Sequence, residues 1–365
     1  MTIKKKTPDM WLLLIALFLT GIGVIMVFSA SYYDTLSIDP YYYLKKQGTF
    51  ALIGAAVMLV AMQFPYQKIR FFCKPLFLGT LALLVVVFLF DDTKNTHRWI
   101  PLGLFNLQPS EVAKFTIALY LADILSRRNA TPNSLQGDLG RIIPMVGLVL
   151  ALVYLEPDLG ATVTLAGIVA AVLIAAGLKW RYLIATGFVG GAGLSVLVMN
   201  SAYQMRRLRG FLDPWSDPLD KGYQVINSYY ALGSGGFWGM GIGNSRQKLG
   251  FLPEQNTDFI FSIVGEELGF IGAGLIVILF LLLTWRGYMI AARARDAFGS
   301  LLAVGITTGL AFQAALNLCV VTGLIPVTGI ALPFLSYGGS SLIMSLGSIG
   351  VLLSISRYPK SMGEG

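Results

Sequence analysis

Between Asn244 and Gly269 the chain reads NSRQKLGFLPEQNTDFIFSIVGEELG, a polar island with Arg246, Lys248, Glu254, Asp258, Glu266 and Glu267 close together. The run Ile271–Thr284 that follows is almost entirely aliphatic and aromatic. Charges at a membrane boundary cost free energy unless they are paired, hydrated or used. Asp258 directly precedes Phe259, Ile260 and Phe261, which places it at a helix start near an interface. A carboxylate there has two roles open to it: capping the helix, or accepting a proton from a hydroxyl presented to it. Burial would raise its pKa and the helix N-terminus would lower it.

Three other clusters carry polar chemistry. The first joins His97, Arg98 and Trp99 to the run Gln108, Pro109, Ser110, Glu111 and to Lys114. Lys114 lies three residues after Glu111, so the two share a helix face and can pair, whether for structure or for a site. The second is Glu156, Pro157, Asp158, in which a proline between two acids suggests a broken or capped helix with water-facing carboxylates. The third follows Asn317 and runs from Gly323 through Pro326, Gly329, Pro333 and Ser336 to Gly338, Gly339 and Ser341. Two prolines and four glycines there imply a re-entrant loop. Such backbone survives at membrane depth only where it lines protein or a hydrated cavity. Gly338 and Gly339 would leave the first amides of the next helix open to an anion.

These clusters must be positioned by membrane-spanning helices. The 365 residues are 55% hydrophobic and only 13% charged, with mean hydropathy +0.70, whereas soluble domains carry about 25% charged residues. The expected fold is an all-α integral membrane protein, a single polytopic domain over residues 1–365. About ten spans are legible, at 11–30, 49–64, 75–90, 112–126, 142–156, 160–178, 182–199, 259–284, 302–322 and 338–356. Residues 142–156 and 160–178 could instead be one broken helix. The first span is too long for the apolar core of a signal peptide, about 7–15 residues, and reads as a retained helix. Two cysteines, Cys73 and Cys319, give no disulfide framework, and the single histidine excludes a multi-histidine metal site.

Basic residues alternate between connections. Lys4, Lys5 and Lys6; Lys68, Arg70 and Lys74; Arg127, Arg128 and Arg141; Lys179 and Arg181; Arg286, Arg293 and Arg295; and Arg357 and Lys360 fall on one side. That side is cytoplasmic by the positive-inside rule, so both termini are inside. The large loop 200–257, between the seventh and eighth spans, is then extracytoplasmic. It nevertheless holds Arg206, Arg207, Arg209, Lys221, Arg246 and Lys248. Lipid headgroups, pairing with Asp213, Asp217 and Asp220, or an anionic substrate such as a pyrophosphate would each account for them.

Asn317–Ser341 resembles the signature of the SEDS family (shape, elongation, division and sporulation proteins). Leu252–Phe261 resembles that family's outer-loop motif, and Gln108–Glu111 and Pro157–Gly160 match two more of its motifs in the same order. Asn244–Lys248 and Ser356–Tyr358 are more similar to the division and sporulation branches, FtsW and SpoVE, than to the elongation branch, RodA. One departure is Glu156, where many relatives have glutamine; Asp158 is carried over and Glu156 is not.

The resemblance implies a ten-helix fold and a peptidoglycan glycosyltransferase that polymerises lipid II at the outer face of the bacterial cytoplasmic membrane, in cell division by its closer branch. It also implies a class B penicillin-binding protein transpeptidase as partner, with other divisome or elongasome membrane proteins, and no nucleic acid. It makes Asp258 the essential carboxylate. Arg98, Lys114, Arg246 and Lys248 are then candidates to meet the departing pyrophosphate, with Glu111, Glu254 and Asp158 positioning those bases or a metal. Ser336, Gly338 and Gly339 are further substrate-binding candidates. A divalent cation, magnesium or manganese, is an open requirement. The alternatives are a lipid II flippase, since broken glycine-rich helices also suit transporters, and a RodA-like elongation polymerase. In a cysteine variant at Ser216, an impermeant thiol reagent should label intact cells; labelling only after the membrane is opened would overturn the topology.

Overall fold

Long apolar runs leave a backbone one economical way to satisfy its hydrogen bonds, and the chain folds into α-helices. The computed structural model describes residues 6–36, 39–90, 97–103, 106–127 and 137–360. Lys4, Lys5 and Arg128, on which the charge pattern partly rests, lie outside them. The helices are α1 Met10–Ser31, α2 Tyr42–Gln63, α3 Tyr66–Ile69, α4 Cys73–Val86, α5 Pro109–Leu125, α6 Asp138–Leu155 and α7 Leu159–Ala175. They continue with α8 Trp180–Asn200, α9 Ala202–Leu212, α10 Tyr223–Ser234, α11 Ile260–Arg293, α12 Ala297–Val321 and α13 Gly339–Ser356. Ahead of α5, the short antiparallel strands β1 Ile100–Pro101 and β2 Asn106–Leu107 pair Ile100 with Leu107.

Among the described residues, seven helical stretches are long and apolar enough to cross a membrane: α1, α2, the α3–α4 stretch Tyr66–Leu89, α6, α11, α12 and α13. The apolar α7 is shorter, at 17 residues, as is α5; with α8 these complete the long helices. α6 and α7 are two helices packed on each other, so 142–156 and 160–178 are a hairpin and not one broken helix. Local signals fix the ends. Asp9 caps α1 through Leu12 N at 3.1 Å, Asp158 caps α7 through Ala161 N at 3.0 Å, and Asp296 caps α12 through Gly299 N at 2.7 Å.

Small residues bring the central helices together, as helix pairs in lipid commonly require. A Cβ on Gly305 of α12 would come within 2.7 Å of Ala118 of α5, and one on Gly350 of α13 within 2.5 Å of the Met58 carbonyl of α2. At one end of the bundle Asp123 is clasped by Arg70 at 2.6 Å and Arg127 at 2.8 Å, and Arg286 pairs with Asp9. At that same end Lys360 N donates to the Arg293 carbonyl at 2.9 Å.

At the opposite end α11 is not the continuous span suggested by 259–284. It breaks at Gly269, where φ is 66° and ψ is −168°. The segment 236–241 inserts into the break. Met240 N and Gly241 N donate to the carbonyls of Glu266 and Glu267 at 2.9 and 3.0 Å, while Phe270 N and Ile271 N donate to Gly236 and Phe237 at 2.8 and 3.2 Å. A side chain at 269 would strike this segment, with Gly239 N only 2.3 Å from its Cβ.

The break turns two buried acids toward the loop between α10 and α11. Glu266 accepts from Ser245 Oγ, from Arg246 N at 2.9 Å and from Gln247 N at 3.3 Å. Glu267 accepts from Ser29 Oγ of α1 at 2.7 Å and pairs with Lys248 Nζ at 2.8 Å. Lys248 is 1% exposed. Removing one member of such a pair strands the other charge in the interior. Lys248→Met should therefore cost about 3–5 kcal/mol, and adding Glu267→Leu should restore much of it; denaturant or thermal unfolding of the purified protein checks both. A Cβ on Gly339 would meet the Phe50 ring at 2.9 Å, so Gly339→Val should lower stability by about 1–3 kcal/mol through overpacking.

Candidate functional site

Asp258 lies on the last turn before α11, but it does not cap that helix: Phe259 holds the cap position and no side chain bonds there. Its main chain is held from α12 instead. Asn317 Nδ2 donates to the Asp258 carbonyl and to the Ile330 carbonyl, both at 2.7 Å. One residue earlier, Ser336 Oγ donates to the Thr257 carbonyl at 2.6 Å, and Tyr337 N donates to Asn256 at 2.8 Å. The re-entrant segment 323–338 is thus a packed wall bonded directly to the backbone that presents the carboxylate.

That wall closes a cavity of about 400 Å³. Arg98 reaches it from ahead of β1, Arg207 from α9, and Glu254 and Asp258 from the loop between α10 and α11. Arg98 donates through Nε to the Glu156 carbonyl at 3.1 Å and through Nη2 to the Pro157 carbonyl, while Arg207 Nη1 donates to the Val327 carbonyl at 3.1 Å. These bonds to main-chain carbonyls fix the two guanidinium groups beside the cavity. At Gly329, where φ is +75°, a Cβ would lie 3.6 Å from Arg98 Nη1, 3.6 Å from Asp258 Oδ2 and 3.7 Å from Arg207 Nη1. Two cations and a carboxylate therefore surround one small empty volume. Asp258 is enclosed by protein yet partly open to the cavity. Burial raises its pKa to about 6, Glu254 adding to the rise and Arg207 and Arg98 opposing it.

The floor and side walls are also polar. Lys114 donates to Glu111 at 2.7 Å and to Gln313 at 2.6 Å, and Gln313 passes a bond on to the Ala331 carbonyl at 2.9 Å. Asp158 lines the cavity, its Oδ2 accepting from Gln108 at 3.1 Å and Ser110 at 3.4 Å.

Of the residues singled out from sequence, Asp258, Arg98, Lys114, Glu111, Glu254, Asp158 and Gly338 line this cavity. Arg246 and Lys248 are not brought to it: Arg246 is exposed, and Lys248 is consumed in the buried pair with Glu267. Ser336 acts through backbone, accepting from Leu332 N at 2.7 Å and donating to Thr257, and Gly339 packs on Phe50. Sequence reading passed over Arg207, Gln224 and Tyr337 as site residues, although all three line the cavity. Arg207 was visible only as one of three arginines on a basic stretch, and helical phase alone separates it from Arg206 and Arg209. Among the described residues no group of three or more His, Cys, Asp or Glu side chains is arranged to hold a metal.

The model of the FtsW/RodA/SpoVE family, described as cell cycle proteins, matches residues 10–361. A probable peptidoglycan glycosyltransferase FtsW from Geobacter sp. (strain M18) is 46% identical, over 95% of this chain and 96% of its own. Stage V sporulation protein E from Bacillus subtilis (strain 168) is 43% identical, over 99% of this chain and 100% of its own. Among solved structures, a chain of a peptidoglycan synthase complex that coordinates polymerization and crosslinking superposes with a TM-score of 0.80 at 29% identity, covering 96% of this chain and 98% of that one. The rod shape determining protein RodA of Thermus thermophilus gives 0.70 at 27% identity, with the same coverage. With a family model matched over nearly its full length and a bundle shared with solved relatives, the chain is an integral membrane protein of the FtsW/RodA/SpoVE family.

Proposed function

We propose that the chain is a peptidoglycan glycosyltransferase that polymerises lipid II at the outer face of the cytoplasmic membrane. The observation that carries this reading is the convergence of Asp258, Arg98 and Arg207 around Gly329 inside one cavity. The relatives' names supply the substrate class, and the cavity supplies groups suited to it. Asp258 takes the proton from the acceptor sugar hydroxyl, whose oxygen attacks the anomeric carbon of the donor. The bond from that carbon to the pyrophosphate oxygen breaks with inversion, and the electron pair leaves with the lipid pyrophosphate. Arg98 and Arg207 stand where that charge develops, and fixed cations help most there. A base with a pKa near 6 is ionised at neutral pH and still a useful proton acceptor.

The charge pattern supports termini on the cytoplasmic side and the cavity on the outer side. The relatives named FtsW and stage V sporulation protein E support a role in division or sporulation over one in elongation. The likeness to a chain of a peptidoglycan synthase complex supports a transpeptidase of the class B penicillin-binding type as partner. Transport of the same lipid is disfavoured by Asp123, at the end of the bundle away from the cavity, because Arg70 and Arg127 neutralise it and it offers no relay.

Asp258→Asn should lower glycan-strand formation from purified lipid II by about 10²–10⁴ while lipid II binding and thermal stability stay near the parent's. Near-normal polymerisation would remove Asp258 from the mechanism. Because the base must be deprotonated, parent kcat/KM should rise with pH and level off above about pH 6. Arg207 favours the charged carboxylate, so Arg207→Gln should move that acidic limb to higher pH as well as weaken substrate use; an unmoved limb would separate Arg207 from Asp258.

A further inference from the structure

Glu156 follows the last turn of α6 and is a buried acid beside the cavity to which the mechanism gives no role. It is 0% exposed, and neither carboxyl oxygen has a hydrogen-bond partner among the described residues. Arg98 is close, yet it bonds the main-chain carbonyls of Glu156 and Pro157 and not the carboxyl group. Asp158 cannot serve as a donor in its carboxylate form, and its oxygens already cap α7 and accept from Gln108 and Ser110. An ionised Glu156 would be a buried anion with no hydrogen bond, next to a second anion. Buried groups in that situation take up a proton instead.

We propose that Glu156 is kept as a neutral acid, and that its neutrality is what leaves the Arg98 charge free for the anionic group of the substrate. This rests on the reading of Arg98 as a pyrophosphate contact. Three basic side chains, Arg98, Lys114 and Arg207, already share the cavity with four acids, Glu111, Asp158, Glu254 and Asp258. A further negative charge behind Arg98 would cancel one of the two cations that surround the Gly329 volume. Glu156 is thus a positioning residue for charge and touches no substrate. The charged side chains acting on it are Asp158, from the start of α7, and Arg98, from the segment before β1. Burial and Asp158 push its carboxyl up to about 9, against Arg98.

The test uses the full-length protein in lipid nanodiscs. Infrared difference spectra between parent and Glu156→Gln, which keeps shape and neutrality, should show the carbonyl stretch of a protonated carboxyl at neutral pH. In the parent that band should vanish as pH is raised through about 9. Polymerisation of lipid II should be supported by the glutamine variant at neutral pH. Above the ionisation range, the parent's KM should rise relative to the variant's by up to about tenfold per pH unit, with kcat changed less. Absence of the protonated band at neutral pH would overturn the proposal. So would a band that titrates while parent and variant keep the same KM at every pH, since neutrality would then do nothing for the substrate. The spectroscopic arm needs no turnover, so a failure of the proposed glycosyl transfer is distinguishable from a failure of the neutral acid.

Discussion

Backbone that leaves a helix inside an apolar bundle has no water to turn to, so each amide and carbonyl it frees must be met by protein. The half of this molecule that holds the cavity is arranged around that constraint. α11 breaks at Gly269, and the segment 236–241 fills the gap with four main-chain hydrogen bonds. The insertion fixes the loop ahead of α11 where Glu266 can collect Ser245 and the amides of Arg246 and Gln247. Lys248 and Ser29 close on Glu267 beside it, and Gln255 reaches Asp34 beyond α1 at 2.9 Å. The loop that ends in Asp258 is therefore anchored along its length before it reaches the cavity.

The same constraint ties the second irregular segment to the first. Gln313 and Asn317 lie one turn apart on α12, at i and i+4, and share a helix face. Gln313 bonds Lys114 and the Ala331 carbonyl, and Asn317 bonds the neighbouring Ile330 carbonyl and that of Asp258. One face of one helix thus sets both the floor of the cavity and the backbone of its carboxylate. Side chains held this way need little reorganisation when charge develops, the condition under which electrostatic stabilisation is most effective.

The charges inside the cavity are divided by what they bond. Lys114 is spent on Glu111 and Gln313, and Asp158 on the start of α7 and its neighbours. Arg98 and Arg207 are held by neutral carbonyls, so their fields reach Asp258 and offset part of the effect of its burial. An anion entering beside Gly329 meets cations fixed in place before it arrives.

Much of this was legible in the residues. Apolar length gave the helices, the order of four motifs gave the family, and the polar clusters brought forward Asp258, Arg98, Glu111 and Lys114, which line the cavity. Local chemistry carries such information: Pro109 opens α5, Asp158 caps α7, and the proline- and glycine-rich run 323–339 cannot be regular. The roles of Lys248 and Arg207 were not legible. Both are basic residues of the stretch 200–257, and composition treats them alike. Only the tertiary structure decided that Lys248 meets Glu267 and Ser29 while Arg207 turns to Val327 and the cavity. The break at Gly269 was equally hidden, because a glycine in an apolar run reads as helix until another segment supplies the hydrogen bonds that make leaving the helix tolerable. Sequence determines which groups need partners; the partners, when they lie dozens of residues away, are chosen by packing.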